Sequence, residues 1–518
     1  MALPLEPGGR FHVPELVLRE KDGAFVAIDP ARANWVCLNR AGIDLLRILP
    51  GKTLSEAART AAASGALPGE EAETAVRKFA ADLARKEFLS TRPITDELVE
   101  RSRLLRPEKL HEVWIVTNYE CNQACRHCYT YDRVATDRRR IRKEALLAMI
   151  DECRSLGAEV FYLTGGEPFL RGDLLELIAA ATRRSKAILF TNGTLVTPEQ
   201  AARLAAHRER LVVQISLEGP DEEANSLLRG KGSFALAMEG IRSLLRAGVR
   251  VGVSSTPTPQ TAARIPELTR LLAGINEGGR GVDYHHIVYV LDAGNAREGE
   301  TARLSAADLI EVITGCKEAV RRAKAKDVKT KIKITNDKIF EAIASNGPRK
   351  DLCGAGYTIL GINADGELHP CATTMHDSSF NLGTLLDEGG NYVSGEIGRL
   401  WRESAAVQRI RSFSVLPGGG KVKDLRYFHG GGCWYHMKDR KGDISKDHPF
   451  YAAYEALTEK AILHVATKDI PSGDPSKESP RPKIYSSMAR TRISCAGVRK
   501  TKDLSASGMD NGYCICFA

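Results

Sequence analysis

The sequence has no apolar run long enough to cross a bilayer, and its beginning, MALPLEPGGRFHVPEL, lacks a basic start followed by an apolar core. It contains no internal repeats, and neither sign of charge dominates. The net charge of +9, from 74 basic and 65 acidic residues, is spread along the chain and comes with no nucleic-acid motif. We therefore expect a cytoplasmic protein without membrane or nucleic-acid partners.

The composition is that of a globular protein, with 43% hydrophobic and 27% charged residues in a chain of 518. This length exceeds one ordinary core and predicts about two to four domains. Twelve cysteines without a secretory signal are expected to be metal ligands, redox groups or core residues rather than disulfides. Spacing has to decide among these roles.

The first part of the chain has the pattern of a small α+β domain. Three short extended runs, LVLRE, AFVAID and NWVCLN, precede helical segments. One helix opens with the capping box formed by Thr53 and Glu56, whose side chains satisfy free helix-end donors. We predict a domain over 1–92 and a polar linker over 93–112.

Strands and helices alternate over residues 113–300. Six extended runs are present: VWIVT, EVFYLT, AILFTN, LVVQIS, VRVGVS and DYHHIVYV. Apolar strands separated by helices indicate a parallel sheet covered by helices, either open or closed into a barrel. In both architectures the functional site lies at the carboxyl ends of the strands.

The remaining residues are predicted to form four segments. These are a helical bridge over 301–345, a Gly- and Cys-bearing domain over 346–440, a helix over 441–466 and a flexible Cys-containing tail over 467–518.

The stretch NYECNQACRHCYTY sets three cysteines, Cys121, Cys125 and Cys128, directly after the first run of the alternating region. Soft thiolates suit iron, and three of them can bind three irons of a four-iron cluster while the fourth iron stays open for a small chelating ligand. The alternatives are a zinc site or buried core thiols.

The CxxxCxxC spacing after that strand, with His127 at a usually aromatic position and Tyr129 following, resembles the signature of the radical S-adenosylmethionine (SAM) superfamily. The resemblance covers residues 113 to about 300 and implies a partial (β/α)6 barrel. It implies a [4Fe–4S] cluster whose open iron takes the amino and carboxylate groups of SAM. An electron, supplied by a donor such as flavodoxin or ferredoxin, would cleave SAM to methionine and a 5′-deoxyadenosyl radical.

Further motifs of that family fall at the ends of the next three strands: LTGGEPFL, FTNGT and ISLEGP. Taken alone, any of them could be a plain turn. By this resemblance the candidate cofactor-binding residues are His127, Gly165, Gly166, Glu167, Pro168, Asn192, Ser216, Glu218 and Arg229. The glycines would let backbone carbonyls approach the ligand.

A second cysteine set lies downstream. Cys353, Gly366 and Cys371 fit CX12GX4C, and HGGGC ends in Cys433. This resembles the SPASM domain, an extension of radical SAM enzymes that modify peptides and proteins. The resemblance implies at least one auxiliary iron–sulfur cluster on these three cysteines, with a fourth ligand from Cys316, His429 or substrate.

The rest of the SPASM pattern is altered. Gly420, Lys423 and His429 stand where CX2CX5CX3C has cysteines, so a second auxiliary cluster has lost its usual ligands. Tail cysteines could replace them: Cys495, Cys514 and Cys516. We interpret Cys37 and Cys153 as core residues, and His285 and His286 as packed or solvent-facing at a strand end.

The N-terminal domain resembles the RiPP recognition element, a winged-helix-like (PqqD-like) module that binds the leader of a ribosomal precursor peptide as an added strand. The alternative is a small helical dimerisation or DNA-binding domain. From Met488 the tail reads like a small Cys-containing peptide, which suggests a built-in substrate or cap; the alternative is a disordered tail.

Together these features predict a radical SAM enzyme that abstracts a hydrogen from a ribosomally made peptide and forms a thioether, a carbon–carbon bond or an epimerised centre. Two alternatives stay open. One is a sulfatase-maturing oxidase, although Ala372 stands where such enzymes carry an acid. The other is a non-catalytic, peptide-binding iron–sulfur scaffold.

Overall fold

The computed structural model describes residues 5–94, 109–130, 141–288, 290, 294–298, 304–324, 332–336, 354–412, 425–429, 449–467 and 482–487. They form two compact units. The first consists of 5–94, 425–429, 449–467 and 482–487, and the second contains the described residues from 109 to 336 and 354–412.

Fourteen strands lie in this part of the chain. They are β1 Val17–Lys21, β2 Ala24–Asp29, β3 Asn34–Leu38, β4 Glu112–Val116, β5 Val160–Thr164, β6 Lys186–Thr191, β7 Leu211–Ser216, β8 Arg250–Ser255, β9 Tyr284–Ile287, β10 Lys333–Asn336, β11 Ile359–Ile362, β12 Glu367–His369, β13 Gly383–Thr384 and β14 Ile484–Ser487.

The α-helices of the described residues are α1 Arg40–Ile48, α2 Leu54–Ala63, α3 Ala72–Arg85, α4 Lys143–Ser155, α5 Leu174–Thr182, α6 Pro198–Leu204, α7 Glu222–Arg229, α8 Ser233–Arg246, α9 Ile265–Ala273, α10 Ala306–Lys324, α11 Glu396–Glu403, α12 Ala405–Ser412, α13 Arg426–His429 and α14 Pro449–Thr467. None of them is both long and apolar enough to cross a membrane.

The first unit is built on an antiparallel sheet with the order β1-β2-β3-β14. Its core joins strand residues to helices α1–α3. The predicted succession of three strands and then helices is confirmed, and so is the capping box, because Thr53 and Glu56 bond each other's backbone N–H groups. Strand β14 lies inside the stretch predicted as a flexible tail, so that prediction was wrong for Ile484–Ser487.

The second unit contains a ten-stranded sheet with the order β10-β9-β8-β7-β6-β5-β4-β11-β12-β13. The six predicted runs are strands β4–β9, and neighbouring members of this series are all parallel. The α/β class with a parallel-rich sheet is confirmed. Because the six strands all run in the same direction, their carboxyl ends lie at one edge of the sheet.

Side-chain alternation along the strands separates two buried faces. Val113 and Phe161 belong to a core cluster with the surrounding helices. The next residues in register, Trp114 and Tyr162, point to the other face. Their rings stack with centroids 4.1 Å apart, and Phe190 lies 5.3 Å from Trp114. The inner face of the sheet therefore has an aromatic floor.

Four strands, β10–β13, extend this sheet beyond the predicted six, and two of them pair in parallel with the predicted series. The helical bridge predicted for 301–345 contains α10 but also β10, which pairs in parallel with β9. Strand β11 pairs in parallel with β4, so the residues that follow Gly354 begin by continuing the central sheet. Hydrophobic periodicity missed both because each is only four residues long.

Candidate active site

The loop after β4 carries Cys121, Cys125 and Cys128, and all three thiols line one cavity at the carboxyl ends of the strands. The cavity has a volume of about 860 Å³, which includes space open to solvent. The three cysteines are free thiols. Among the described residues, no three His, Cys, Asp or Glu side chains are placed to hold a single metal ion, whereas a four-iron cluster bonds each thiolate to a different iron.

Hydrogen bonds from several elements hold this loop. The Asn118 amide donates to the carbonyl oxygens of Glu120 (2.9 Å) and Glu167 (3.1 Å). Asn295 donates its backbone N–H to the carbonyl of Cys128 (3.0 Å) and its side-chain amide to that of Cys125 (2.9 Å). The backbone that presents the thiols is therefore fixed independently of any ligand.

The two glycines of LTGGEPFL lie against this loop. A Cβ on Gly166 would be 2.2 Å from the carbonyl oxygen of Glu120 and 2.4 Å from that of Tyr119. A Cβ on Gly165 would be 2.6 Å from the carbonyl oxygen of Asn118. Both glycines line the cavity, and the structure gives a further reason for them: only glycine permits this approach of two backbones.

Glu167 and Pro168, predicted to contact the cofactor, do not line the cavity. The fully buried Glu167 carboxylate accepts hydrogen bonds from Thr191 Oγ1 (2.8 Å), Asn192 N (2.8 Å) and Phe169 N (3.1 Å). Burial raises the pKa of Glu167, although each of these three hydrogen bonds acts to lower it. Glu167 therefore joins the ends of β5 and β6 from behind the cavity wall.

Asn192 does line the cavity and links β6 to the cysteine loop. Its side-chain amide donates to Asn122 Oδ1 (2.8 Å), and its Oδ1 accepts from the backbone N–H of Thr194 (2.9 Å). Asn122 in turn donates to Thr194 Oγ1 (2.9 Å). Sequence reasoning identified Asn192 but missed its two partners, although both lie within the quoted motifs.

Glu218 is the second predicted cofactor contact that is buried behind the wall. Its carboxylate accepts from Arg229 Nε (3.0 Å) and Nη2 (2.7 Å), from Thr256 N (2.7 Å) and from His127 Nε2 (3.3 Å). Burial alone would raise its pKa, but the charges of Arg229 and His127 bring it to about 2. Glu218 is therefore an anion that positions Arg229.

Arg229 and His127 face the cavity. Arg229 Nη1 lies 3.9 Å from Cys125 Sγ, and the buried Nδ1 of His127 has no hydrogen-bond partner among the residues that the structure describes. A cation, an unsatisfied ring nitrogen and three soft sulfur donors in one cavity suit an iron–sulfur cluster with a charged, polar ligand. The residues present thus fit a [4Fe–4S] cluster with SAM.

Hydroxyl side chains near successive strand ends complete the wall. Thr164, Thr191 and Ser216 end β5, β6 and β7, and Thr256 follows β8. Of these, only Ser216 was identified from the sequence. The signal was the residue type at the end of each predicted strand.

The second predicted cysteine set is only partly described. Cys353 and Cys433 lie outside the described residues, as do Gly420, Lys423 and the tail cysteines. Cys371 precedes a short 3₁₀ turn, with Sγ 3.9 Å from Thr374 Oγ1. Gly366 has φ +80° in the turn between β11 and β12, the left-handed conformation that favours glycine.

The other singled-out residues pack in cores. Cys316 lies in an apolar cluster between α9 and α10, which favours a core role over that of a fourth ligand. Cys37 and Cys153 are fully buried, and Cys153 belongs to the main core of the second unit. His285 is also buried, bonded to Ser255 (2.8 Å) and Thr269 (2.9 Å), rather than facing solvent.

Comparison with known proteins agrees with this geometry. The Radical SAM superfamily model matches residues 115–272. Mycofactocin maturase MftC of Mycolicibacterium smegmatis is 30% identical over 385 residues, which cover 70% of this chain and 87% of that protein. The AdoMet-dependent heme synthase of Nitratidesulfovibrio vulgaris is 28% identical over 352 residues, covering 65% of this chain and 90% of that protein.

Among solved structures, Streptococcus suis SuiB bound to precursor peptide SuiA has a TM-score of 0.51 at 15% identity, a likeness of fold alone. The match covers 83% of this chain and 97% of that one. With the family model lying on the cysteine loop and the strand ends, and a relative matched over most of its length, the chain belongs to the radical SAM superfamily, whose members bind a [4Fe–4S] cluster and SAM.

Proposed function

We propose that this protein is a radical SAM enzyme that modifies a ribosomally made peptide. The observation that carries the proposal is the shared cavity: Cys121, Cys125 and Cys128 line it together with the glycine loop and the polar strand ends. In this proposal the three thiolates hold the cluster.

The cluster and SAM, when bound, supply the 5′-deoxyadenosyl radical that takes a hydrogen atom from the substrate, with the electron coming from a donor such as flavodoxin or ferredoxin. The backbone around Gly165 and Gly166 receives the methionyl amino group, and Arg229 receives the carboxylate. Asn192 and Ser216 offer further polar contacts. Phe190, at the edge of the aromatic floor, excludes water from one side.

The thiols need a positive partner to ionise. Burial raises the pKa of Cys125 to about 12 and that of Cys121 to about 11, and the charge of Arg229 acts against burial at both. Metal ligation by thiolates releases protons. Arg229 therefore supports cluster assembly as well as SAM binding.

A peptide substrate is supported by the relatives' names and by the N-terminal module. One relative is called a maturase, and a structure of similar fold holds a precursor peptide. The heme synthase relative shows that similarity within this superfamily does not by itself select a peptide. The antiparallel sheet with helices ahead of the radical SAM region favours the peptide, because such sheets bind extended chains at an edge.

The product classes differ in their hydrogen balance. In a thioether cross-link, a C–H and an S–H bond are lost and a C–S bond forms. One hydrogen atom would go to the radical supplied by SAM, the thiol proton would leave to solvent, and the remaining electron would need an acceptor such as an iron–sulfur centre. A carbon–carbon bond also removes two hydrogen atoms, whereas epimerisation conserves mass and introduces one solvent hydrogen.

The acceptor in this proposal is an auxiliary cluster held by Cys353, Cys371 and Cys433. Iron and sulfide counts test it. A Cys371→Ala variant should lose the iron of one cluster, while Cys316→Ala should keep it, since Cys316 packs among apolar side chains. Equal iron in wild type and Cys371→Ala would remove the auxiliary cluster from the proposal.

Anaerobic incubation of the cluster-loaded protein with SAM and dithionite tests the enzyme itself. We expect 5′-deoxyadenosine from the wild type and none from Cys125→Ala. The matched control is Cys153→Ala, which removes a fully buried thiol of α4 that does not line the cavity and should retain cleavage. Loaded wild type that forms no 5′-deoxyadenosine would instead favour the non-catalytic scaffold.

A further inference from the structure

The edge of the N-terminal sheet is covered by the chain's own later residues. Strand β14 pairs antiparallel with β3, with Ile484 opposite Leu38 and Ser487 opposite Val36, and one irregularity between Ile484 and Ser486. An open edge strand presents unpaired N–H and C=O groups to which another strand can add. Here β3 has β2 on one side and β14 on the other.

Asn39 holds the start of the added strand. Its backbone N–H donates to the carbonyl of Lys483 (3.2 Å), and its side-chain Oδ1 accepts from the N–H of Lys483 (2.8 Å). The same oxygen accepts from the N–H of Gly42 (2.9 Å) and so caps α1. Because Asn39 is fully buried, one side chain fixes both the helix and the register of the strand.

Two further contacts fit this edge to the added strand. A Cβ on Gly42 would lie 3.2 Å from the carbonyl oxygen of Lys483, so glycine lets the added backbone come close. The side chain of Ile484 packs on the core cluster that includes Val36 and Leu38. Backbone pairing, a polar clamp and an apolar anchor are the elements by which a peptide is recognised as an added strand.

Helix α14 precedes β14 in the sequence and packs on the same sheet. It packs against β1, β2, β3 and β14, and Glu459 on this helix accepts two hydrogen bonds from Arg19 on β1 (2.7 and 2.8 Å). The chain then passes through 468–481 to β14. Residues 488–518, which include three cysteines, follow the strand directly.

We propose that residues 483–487 are a built-in recognition strand. In this view the strand occupies the edge on which a separate precursor peptide would add, and residues 488–518, which follow it in the sequence, are a cysteine-containing peptide substrate modified in cis. The second half of the inference rests on the proposed function; occupation of the edge does not.

Occupation of the edge is tested by binding, without iron or SAM. A tethered strand acts at an effective concentration on the order of millimolar, so it should weaken binding of a competing peptide whose Kd is about 10–100 μM by about 10- to 100-fold. The probe is a labelled synthetic peptide with the sequence of residues 480–489. It should bind Ile484→Asp more tightly than wild type by that factor, because aspartate loses the apolar anchor.

Lys483→Ala is the matched control. The Lys483 side chain is exposed, and the groups that meet Asn39 are its backbone N–H and C=O, so this variant should bind the probe as weakly as wild type does. Hydrogen exchange on the unmodified wild type needs no variant: the amides of β14 should exchange more slowly than in the free peptide. Equal probe binding by all three proteins, or unprotected β14 amides, would overturn occupation of the edge.

Modification in cis is tested by the mass of the tail after turnover. Wild type and Lys483→Ala should modify 488–518 at a rate per molecule that does not change on dilution. Modification means loss of two hydrogen atoms, or deuterium uptake in heavy water. Ile484→Asp should modify its tail at least about tenfold more slowly while still forming 5′-deoxyadenosine without substrate.

The outcomes separate the two proposals. A wild type that forms 5′-deoxyadenosine but leaves its tail unchanged would refute modification in cis and keep the proposed function. A wild type that forms no 5′-deoxyadenosine would refute the proposed function and with it modification in cis. Probe binding and exchange would then decide occupation of the edge alone.

Discussion

Replacing Gly166 by alanine tests whether the glycine loop and the cysteine loop meet behind the cavity. A Cβ there would lie 2.2 Å from the carbonyl oxygen of Glu120 and 2.4 Å from that of Tyr119. Non-bonded heavy atoms are about 3.5 Å apart at contact, so one loop has to move by about 1 Å. Both contacts involve backbone, which cannot turn aside as a flexible side chain does. We therefore expect the free energy of unfolding to fall by about 1–3 kcal/mol, the usual range for overpacking.

The same displacement should reduce activity. It acts on two hydrogen bonds between the loops, from Gly166 N to Asn118 O (2.8 Å) and from Glu167 N to Glu120 O (2.7 Å). A misplacement of about 1 Å can lower a rate about 100-fold, and we expect that loss in 5′-deoxyadenosine formation. Gly172→Ala is the control, because a Cβ there meets nothing within 4 Å. Wild-type stability and cleavage in Gly166→Ala would refute the close approach.

Three further predictions concern the buried Glu218, the cap of α2 and the buried His285. Glu218→Gln removes the charge opposite the buried Arg229 and should lower stability to urea by about 3 kcal/mol and weaken SAM binding in a filter or fluorescence assay; unchanged values would mean that Arg229 needs no counter-charge. Thr53→Ala breaks the capping box of α2 and should cost about 1 kcal/mol of stability, with SAM cleavage unchanged. Burial lowers the pKa of His285 to about 3, whereas an unfolded histidine titrates near 6.5, so between these values the unfolded state binds the extra proton. Stability should therefore fall by up to about 1.4 kcal/mol per unit as pH drops from about 6.5, and His285→Gln should remove that part of the slope in urea unfolding.

The strands themselves were predictable where apolar runs were long and the site motifs directly followed them. Strands β4–β9 have almost wholly buried sequences, which periodicity detects. Strands β10, β11 and β14 span only four residues each, and their pairing depends on distant chain segments. Local composition does not show which distant strand a short segment pairs with. Strand β14, for example, follows a Pro-, Ser- and Lys-rich stretch whose composition predicts a loop.

Within the site, residue type predicted the neighbourhood of each side chain but not its direction. The cavity is lined by Gly165, Gly166, Asn192, Ser216, Arg229 and His127, whereas Glu167, Pro168 and Glu218 are buried and do not line it. Both glutamates follow strand ends in the quoted motifs, so the sequence gives them the same expected role as their neighbours. The two glutamates differ from their neighbours because, in the folded chain, hydrogen-bond donors from other segments surround each carboxylate.

The hydrogen bonds at Glu218 decide its role. A carboxylate has about four acceptor sites, and Glu218 already receives two N–H groups from Arg229, one from Thr256 and one from His127. Three of these donors share Oε1 and one bonds Oε2, and the carboxylate is fully buried and does not line the cavity, so a cofactor group could reach it only by displacing part of the wall. A buried donor displaced in this way would be left unsatisfied at a cost of about 1–3 kcal/mol. In the proposed function, the SAM contacts at this strand end are therefore assigned to Ser216 and to Nη1 of Arg229, which lies next to Cys125. Glu218 would then act on SAM through the guanidinium that it holds, so its replacement should change SAM affinity without removing any group from the cavity surface.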